Sequence, residues 1–386
     1  MLDPQEFIAA LDGHGISFYA GVPCSYLKAP MSILASRPNY VGAAIETDAA
    51  AMCAGAWLAG EKTAVFCQNS GLGNLINPLS SLNAPFAIPS LFVIGWRGMP
   101  GEKDEPQHML MGQTTKQILM QMGVDVFELP KTNEAAKQTV DQAMAVLGRH
   151  GKSVALLVGP GTFKGNAAFS GVENPKNRDK NRKNIVKNLK NGQSLPSRFN
   201  LLTAIVGAAP EEAALIATTG KCGRELYQVK DRRQHFYMVG SMGSAGAIGL
   251  GVALNNKRPV LVLDGDGGAL MRLGTMATIG RTHPANLIHI ILDNEAHDST
   301  GGQPTGSGNV DFPAIAAACG YTSATSCDDI ETAVSALAEC IAAPGPHLVH
   351  IQIQGGSLPS LGRPETQPSE VAARFRRFLT SPTSGQ

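Results

Sequence analysis

The chain has 386 residues, of which 43% are apolar and 16% charged, with a formal net charge of +1. That length suffices for two ordinary domains with substantial cores. The near-neutral balance excludes a polyanion-binding or membrane-surface class, so neither nucleic acid nor a membrane is expected as a partner.

Seven scattered cysteines without a CxxC pair argue for reduced thiols in a cytoplasmic protein, against a disulfide framework or a zinc ribbon. The opening MLDPQEFIAALDGHG lacks the basic start and apolar core of a signal peptide. No apolar run approaches the ~20 residues of a membrane span.

Residues 1–165 alternate helical and strand-like stretches. Pro4 at a first turn, with Phe7, Ile8 and Leu11 on one face, predicts an opening helix. Strands are expected at 17–20, 40–45, 62–67, 90–94 and 153–158, and a buried small-residue helix at 49–58. Strands alternating with helices predict an α/β domain, its parallel sheet covered on both faces. Residues 166–197 are rich in Lys, Arg, Asn and Gly and read as a basic, flexible linker. A second α/β domain is expected over 198–386, with strands at 213–218, 260–263, 287–292 and 347–353. Its helices fall at 198–206, 245–254, 269–279, 312–319 and 330–343, before a Pro- and Ser-rich tail with a helical patch at 370–379. Neither domain copies the other in sequence, and no middle domain separates them.

The chemistry concentrates after the strand at 260–263. Asp264-Gly265-Asp266-Gly267-Gly268 turns the backbone sharply and leaves its N–H groups open. One strand–helix–strand unit later, Asp293-Asn294 arrives at the same sheet edge. One charged and one neutral oxygen beside a phosphate-shaped nest suit Mg²⁺, which takes few protein ligands and fills the rest with phosphate oxygens and water. A nicotinamide oxidoreductase is disfavoured: Gly71-Leu72-Gly73 lacks the third glycine, since Ile76 stands there.

GDG followed by Asn at this spacing resembles the motif of the thiamine diphosphate (ThDP) enzymes. The resemblance implies Mg²⁺ bound by Asp266, Asn294 and the main-chain carbonyl of Ala296, with Gly265, Gly267 and Gly268 around the diphosphate. Where the family usually carries Asn-Asn, this chain has Asp293-Asn294. Glu46, at a strand end before a small-residue helix (AAIETDAAAMCAGAW), matches the carboxylate that hydrogen-bonds N1′ of the aminopyrimidine and activates the cofactor. Met242 in Gly240-Ser241-Met242-Gly243 matches the apolar wedge that bends ThDP, and the Gly240 carbonyl matches the acceptor for its amine. Ser25, in GVPCS, stands where the family's loop meets the substrate carboxylate. His108, in DEPQH, is a candidate proton shuttle.

The short two-domain build, with GVPCSYLK, RGMPGEKDEPQH, TGKCGREL and DNEAHDSTGGQPT, resembles the phosphonopyruvate decarboxylase family, to which the sulfopyruvate decarboxylases are close. That implies a pyrimidine-binding domain, a diphosphate-binding domain and a homodimer or higher homo-oligomer with its active site at the subunit interface. The implied reaction is loss of CO₂ from a small 2-keto acid, 3-phosphonopyruvate, giving phosphonoacetaldehyde. A phosphonate dianion needs cationic donors; Lys28, Arg97, Lys103, Lys221 and Arg224 are the loop candidates.

Overall fold

The structure is a computed structural model that describes residues 1–165, 184–192 and 194–382. It divides into two compact units, Met1–Trp57 with Glu61–Lys180 and Leu58–Gly60 with Asn181–Gln386.

The first unit contains strands β1 Ile16–Gly21, β2 Tyr40–Gly42, β3 Lys62–Gln68, β4 Leu91–Gly95, β5 Asp125–Glu128 and β6 Val154–Val158. They form one six-stranded sheet in the order β2-β1-β3-β4-β6-β5, every pairing parallel. β4 (LFVIG) and β6 (VALLV) are continuous apolar runs because helices cover both faces of a parallel sheet. The helices are α1 Pro4–Gly13, α2 Lys28–Ala35, α3 Glu46–Leu58, α4 Leu72–Pro78, α5 Pro106–Gln121 and α6 Asn133–Val146. Asp3 caps α1, its Oδ1 accepting from Gln5 N at 2.8 Å, and Phe7, Ile8 and Leu11 are buried as their spacing predicts. α3 is buried almost all round, which only its run of Ala, Cys and Met permits.

The second unit contains β7 Ile185–Asn188, β8 Ala214–Ala217, β9 His235–Tyr237, β10 Val260–Gly265, β11 Leu287–Asp293, β12 Ala296–His297, β13 Gln303–Pro304, β14 Ser323–Cys327 and β15 His347–Gln352. Seven of these make a parallel sheet, β7-β14-β15-β11-β10-β8-β9, and β12 pairs antiparallel with β13. Its helices are α7 Arg198–Ala208, α8 Lys221–Val229, α9 Ala245–Asn255, α10 Asp266–Met271, α11 Leu273–Thr282, α12 Phe312–Cys319, α13 Ile330–Ala342 and α14 Pro368–Thr380.

Several elements differ from the sequence expectation. The stretch read as a linker, 166–197, is described only at 184–192 and 194–197, and there it holds β7, an edge strand paired with β14. The second sheet therefore begins before Arg198; the rest of that stretch lies outside the described residues. The helix expected at 269–279 is two helices, α10 starting at Asp266 and α11 following a break at Arg272 (φ −137°, ψ 46°). β2 stops at Gly42, and β5, β9 and β14 carry no apolar run to announce them: Asp125–Glu128 is only half-buried and β14 reads SATSC. The tail ends in a packed helix. α14 buries Phe375 with its ring centroid 5.5 Å from that of Phe236, covering the β9 edge. Among the described residues, no helix is long and apolar enough to cross a membrane.

Candidate active site

Each sheet has a point where the strand order reverses within it, between β1 and β3 in the first and between β8 and β10 in the second. Open parallel sheets bind ligands outside the carboxyl ends of the strands at such a switch point.

In the second unit a cavity of about 290 Å³ lies there. Its walls are the loop Thr218-Thr219-Gly220-Lys221 after β8, Gly265-Asp266-Gly267-Gly268 after β10, Asn294 and Ala296–Thr300 after β11, and Met242. Buried β10 ends in a residue with open space around its Cα: a Cβ at Gly265 would meet nothing within 4 Å. The next two glycines are compelled. A Cβ at Gly267 would lie 2.7 Å from His297 Cε1, and one at Gly268 would lie 2.6 Å from Asp264 Oδ1.

Asp266 opens α10 and is 2% exposed. Its Oδ2 accepts from Thr305 Oγ1 and from Ser307 Oγ, the latter at 3.1 Å. Burial raises its pKa, and the nearby charge of Asp293 adds to the rise. Burial also acts to raise Asp293, but His350 Nε2 at 2.8 Å and Ser307 Oγ at 2.8 Å outweigh it and hold this carboxyl below the usual range. The departure from Asn-Asn thus carries its own counter-group on β15. Asn294 is held by Asp298, its Nδ2 donating to Oδ2 at 2.7 Å. Arg198, 7% exposed, donates to the same oxygen at 2.6 Å and lies 3.6 Å from Glu225 Oε1. Burial pushes the Glu225 carboxyl up.

These residues answer the question of fit. One acid and one amide oxygen share a cavity with Lys221, the N-terminus of α8, a glycine turn in which Gly267 and Gly268 leave no room for a Cβ, and an apolar methionine. That donor set suits a divalent cation on a diphosphate beside a ring.

In the first unit two clusters lie past the carboxyl ends of the strands: Glu46 after β2 with Asn74 after β3, and Arg97 after β4 with Ser25 after β1. Glu46, 8% exposed, starts α3 and accepts from Asn74 Nδ2 at 2.8 Å through Oε2. A Cβ at Gly71 would lie 2.1 Å from Glu46 Oε1, so only glycine leaves the carboxylate its seat. Cys67, fully buried, has its thiol pushed well up by burial and then by Glu46. The second cluster centres on Arg97. Asp104 accepts from its Nε at 2.7 Å and its Nη2 at 2.5 Å, and from Gly98 N at 2.8 Å. These bonds hold the Asp104 carboxyl far below its ordinary range and push the guanidinium up. Arg97 Nη1 remains and donates to Ser25 Oγ at 3.1 Å. His108 is half-exposed in the first turn of α5.

The structure therefore brings Met242, Gly265, Asp266, Gly267, Gly268, Asn294 and Ala296 onto one cavity. Gly240 is not among its lining residues. Of the basic candidates, Lys221 lines the cavity, Arg97 is paired, and Lys28 and Lys103 are exposed. Arg224 is spent inside the fold: its guanidinium donates to the carbonyls of Leu361 and Gly362, the former contact shorter than usual. Sequence reasoning placed Asp298 only in a polar stretch, 297–303, over the pocket, without its tie to Asn294, and missed Arg198, Glu225, Thr305, Ser307 and Asn74. Only Arg198, directly after a Ser N-cap on a predicted helix, had any local signal, and none for its partners.

The family model described as "Thiamine pyrophosphate enzyme, C-terminal TPP binding domain" matches residues 218–351. A phosphonopyruvate decarboxylase of Streptomyces viridochromogenes is 44% identical over 100% of this chain and 97% of its own. A sulfopyruvate decarboxylase of Methanosarcina acetivorans is 28% identical over 98% of both chains. Among solved structures, the ThDP-dependent 4-hydroxybenzoylformate decarboxylase of Rhodococcus jostii RHA1 superposes with a TM-score of 0.71 at 14% identity, covering 93% of this chain and 100% of that one, a likeness of fold alone. Identity at that level along the full length, on a fold with the cofactor cavity at its switch point, means that the chain belongs to the phosphonopyruvate decarboxylase family of ThDP enzymes.

Proposed function

We propose that the protein is a ThDP- and Mg²⁺-dependent decarboxylase that converts 3-phosphonopyruvate to phosphonoacetaldehyde and CO₂. The observation that carries the reading is the second-unit cavity, where a buried acid, an oriented amide, Lys221 and Met242 share one space in a full-length relative of a phosphonopyruvate decarboxylase. In this reading Asp266, Asn294 and the Ala296 carbonyl hold Mg²⁺. Gly265, Gly267 and Gly268 admit the diphosphate, and Lys221 offsets its charge. Met242 would support the cofactor's ring, and the Gly240 carbonyl would accept from its amine.

When bound, the cofactor accepts the electron pair left behind as CO₂ departs. The protein's residues bind, orient and move protons. Glu46 has Oε2 occupied by Asn74 and keeps Oε1 for the pyrimidine N1′. Ser25, backed by Arg97, is assigned to the substrate's acid group, and His108 to proton delivery. Glu46 and Asp266 belong to different units and must serve opposite ends of one cofactor. The working form is accordingly a homodimer or larger homo-oligomer, cytoplasmic, its site completed at the subunit interface.

Phosphonate and sulfonate heads differ in charge, and charge-assisted hydrogen bonds strengthen with the charge of the acceptor. Pyruvate would leave the head-group donors unpaired. The relative at 28% identity favours sulfopyruvate as the second reading. CO₂ release with ThDP and Mg²⁺ separates them. Phosphonopyruvate is expected to lead sulfopyruvate in kcat/KM by at least about tenfold, or ~1.4 kcal/mol, with pyruvate last. A lead for sulfopyruvate would establish the second reading, and a lead for pyruvate would remove the head-group argument.

A further inference from the structure

An asparagine can turn either its oxygen or its NH₂ toward a cation, and only the oxygen binds. In the second unit Asp298 makes that choice. Asn294 Nδ2 lies 2.7 Å from Asp298 Oδ2. A carboxylate oxygen can only accept, so the NH₂ must face Asp298 and Oδ1 must face the other way, where Ala296 N approaches it at 3.4 Å.

Asp298 is itself held. Arg198 Nη2 donates to the same Oδ2 at 2.6 Å, and Gly356 N stands 3.2 Å from both carboxylate oxygens. Arg198 donates through Nη1 to the Gly356 carbonyl at 3.2 Å, and Glu225 lies behind it. A chain of charges thus runs from the buried Glu225 through Arg198 and Asp298 to the cavity wall at Asn294. It joins the start of α7, the helix α8, the loop after β11 and the segment after β15.

We propose that Asp298 is a positioning residue for the metal site: it locks the Asn294 amide with its oxygen toward the cation, and Arg198 locks Asp298. This rests on the reading that Asn294 ligates Mg²⁺. Groups behind a metal ligand orient it and tune affinity without touching the ion. The role is orientation rather than attraction, because Arg198 sits on the charge that would attract.

Calorimetry with Mg²⁺ titrated into the full-length protein in saturating ThDP tests it, beside the melting temperature without metal. Asp298→Ala frees the amide to rotate and is expected to weaken Mg²⁺ by about 10- to 100-fold. Asp298→Asn removes the charge but can still accept from both Asn294 and Arg198 with its oxygen, and is expected to stay within about threefold of the parent. Should Asp298→Ala fail to fold, Asp298→Ser, too short to reach Asn294, gives the same reading. Unchanged Mg²⁺ affinity in the Ala or Ser variant overturns the proposal. So does an Asn variant as weak as the Ala variant, which would show that charge matters and not orientation. Asp266→Ala runs alongside: if it binds Mg²⁺ normally, the metal site itself is misassigned, whereas its loss together with a normal Asp298→Ala rejects only the positioning role.

Discussion

Both units gather polar groups past the carboxyl ends of their strands, yet they furnish those ends in different ways. After β10 the second unit offers mostly backbone: three glycines in a row of four residues, with Asp266 between them. After β2 and β4 the first unit offers side chains, a carboxylate seated by Asn74 and Gly71 and an arginine clamped by Asp104. A diphosphate and its cation are recognised by many N–H groups and few oxygens, which consecutive residues can supply. A single proton shared with a ring needs one carboxylate in one orientation, which only residues from separate elements can fix.

The comparison breaks first at the cation. Asp266→Ala is expected to abolish saturable ThDP and Mg²⁺ binding by calorimetry and to cut turnover by at least roughly a thousandfold, about 4 kcal/mol. Retained binding would mean that the backbone cradle suffices by itself.

Glu46→Gln should separate the two units. Its amide cannot share the proton, so kcat is expected to fall about 10²- to 10⁴-fold while ThDP affinity stays within a fewfold of the parent. Equal losses in both quantities would make Glu46 a binding residue like those of the second unit.

Gly71→Ala sharpens the point about orientation. The added Cβ, 2.1 Å from Glu46 Oε1, must displace the carboxylate, and kcat is expected to drop on the order of 10²-fold. Gly73→Ala is the control: nothing stands within 4 Å of its Cβ, and an exposed helical Gly→Ala should raise stability by about 0.5–1 kcal/mol with kcat unchanged. Equal effects on kcat would leave Glu46 unseated by any specific contact.

The smallest effect concerns pH and the second unit. Burial, with the charge of Arg232, pushes His235 down to about 4. The unfolded chain, with an ordinary histidine near ~6.5, takes up the proton first, so stability present above that value is lost as pH falls from 6.5 toward 4. A loss of about 1–2 kcal/mol in urea unfolding is expected between pH 7 and 5, and His235→Gln should flatten it. The same slope in both proteins would assign the titration to other groups.

The two units also differ in how far they can be read from sequence. Asp266, the glycines around it and Asn294 follow buried strands, and a strand end converts order along the chain into position in space. The same holds for Glu46 before its small-residue helix. β7, β9 and β14 were not legible, because short or edge strands need no apolar run. Gly240 matched the motif, and of that turn only Met242 lines the second-unit cavity.

The alternation of strands and helices, the cofactor motif and the acid before α3 were determined by the sequence alone, because each is a local pattern with a local physical cause. Tertiary structure alone decided which charges are free. Arg97 is neutralised by Asp104, Arg224 is consumed by the carbonyls of Leu361 and Gly362, and Lys221 is left on the cavity. It also decided that Asp298 and Arg198 stand behind Asn294, and Asn74 behind Glu46. These are pairings between side chains brought together by folding, and neither residue type nor spacing marks one partner for the other.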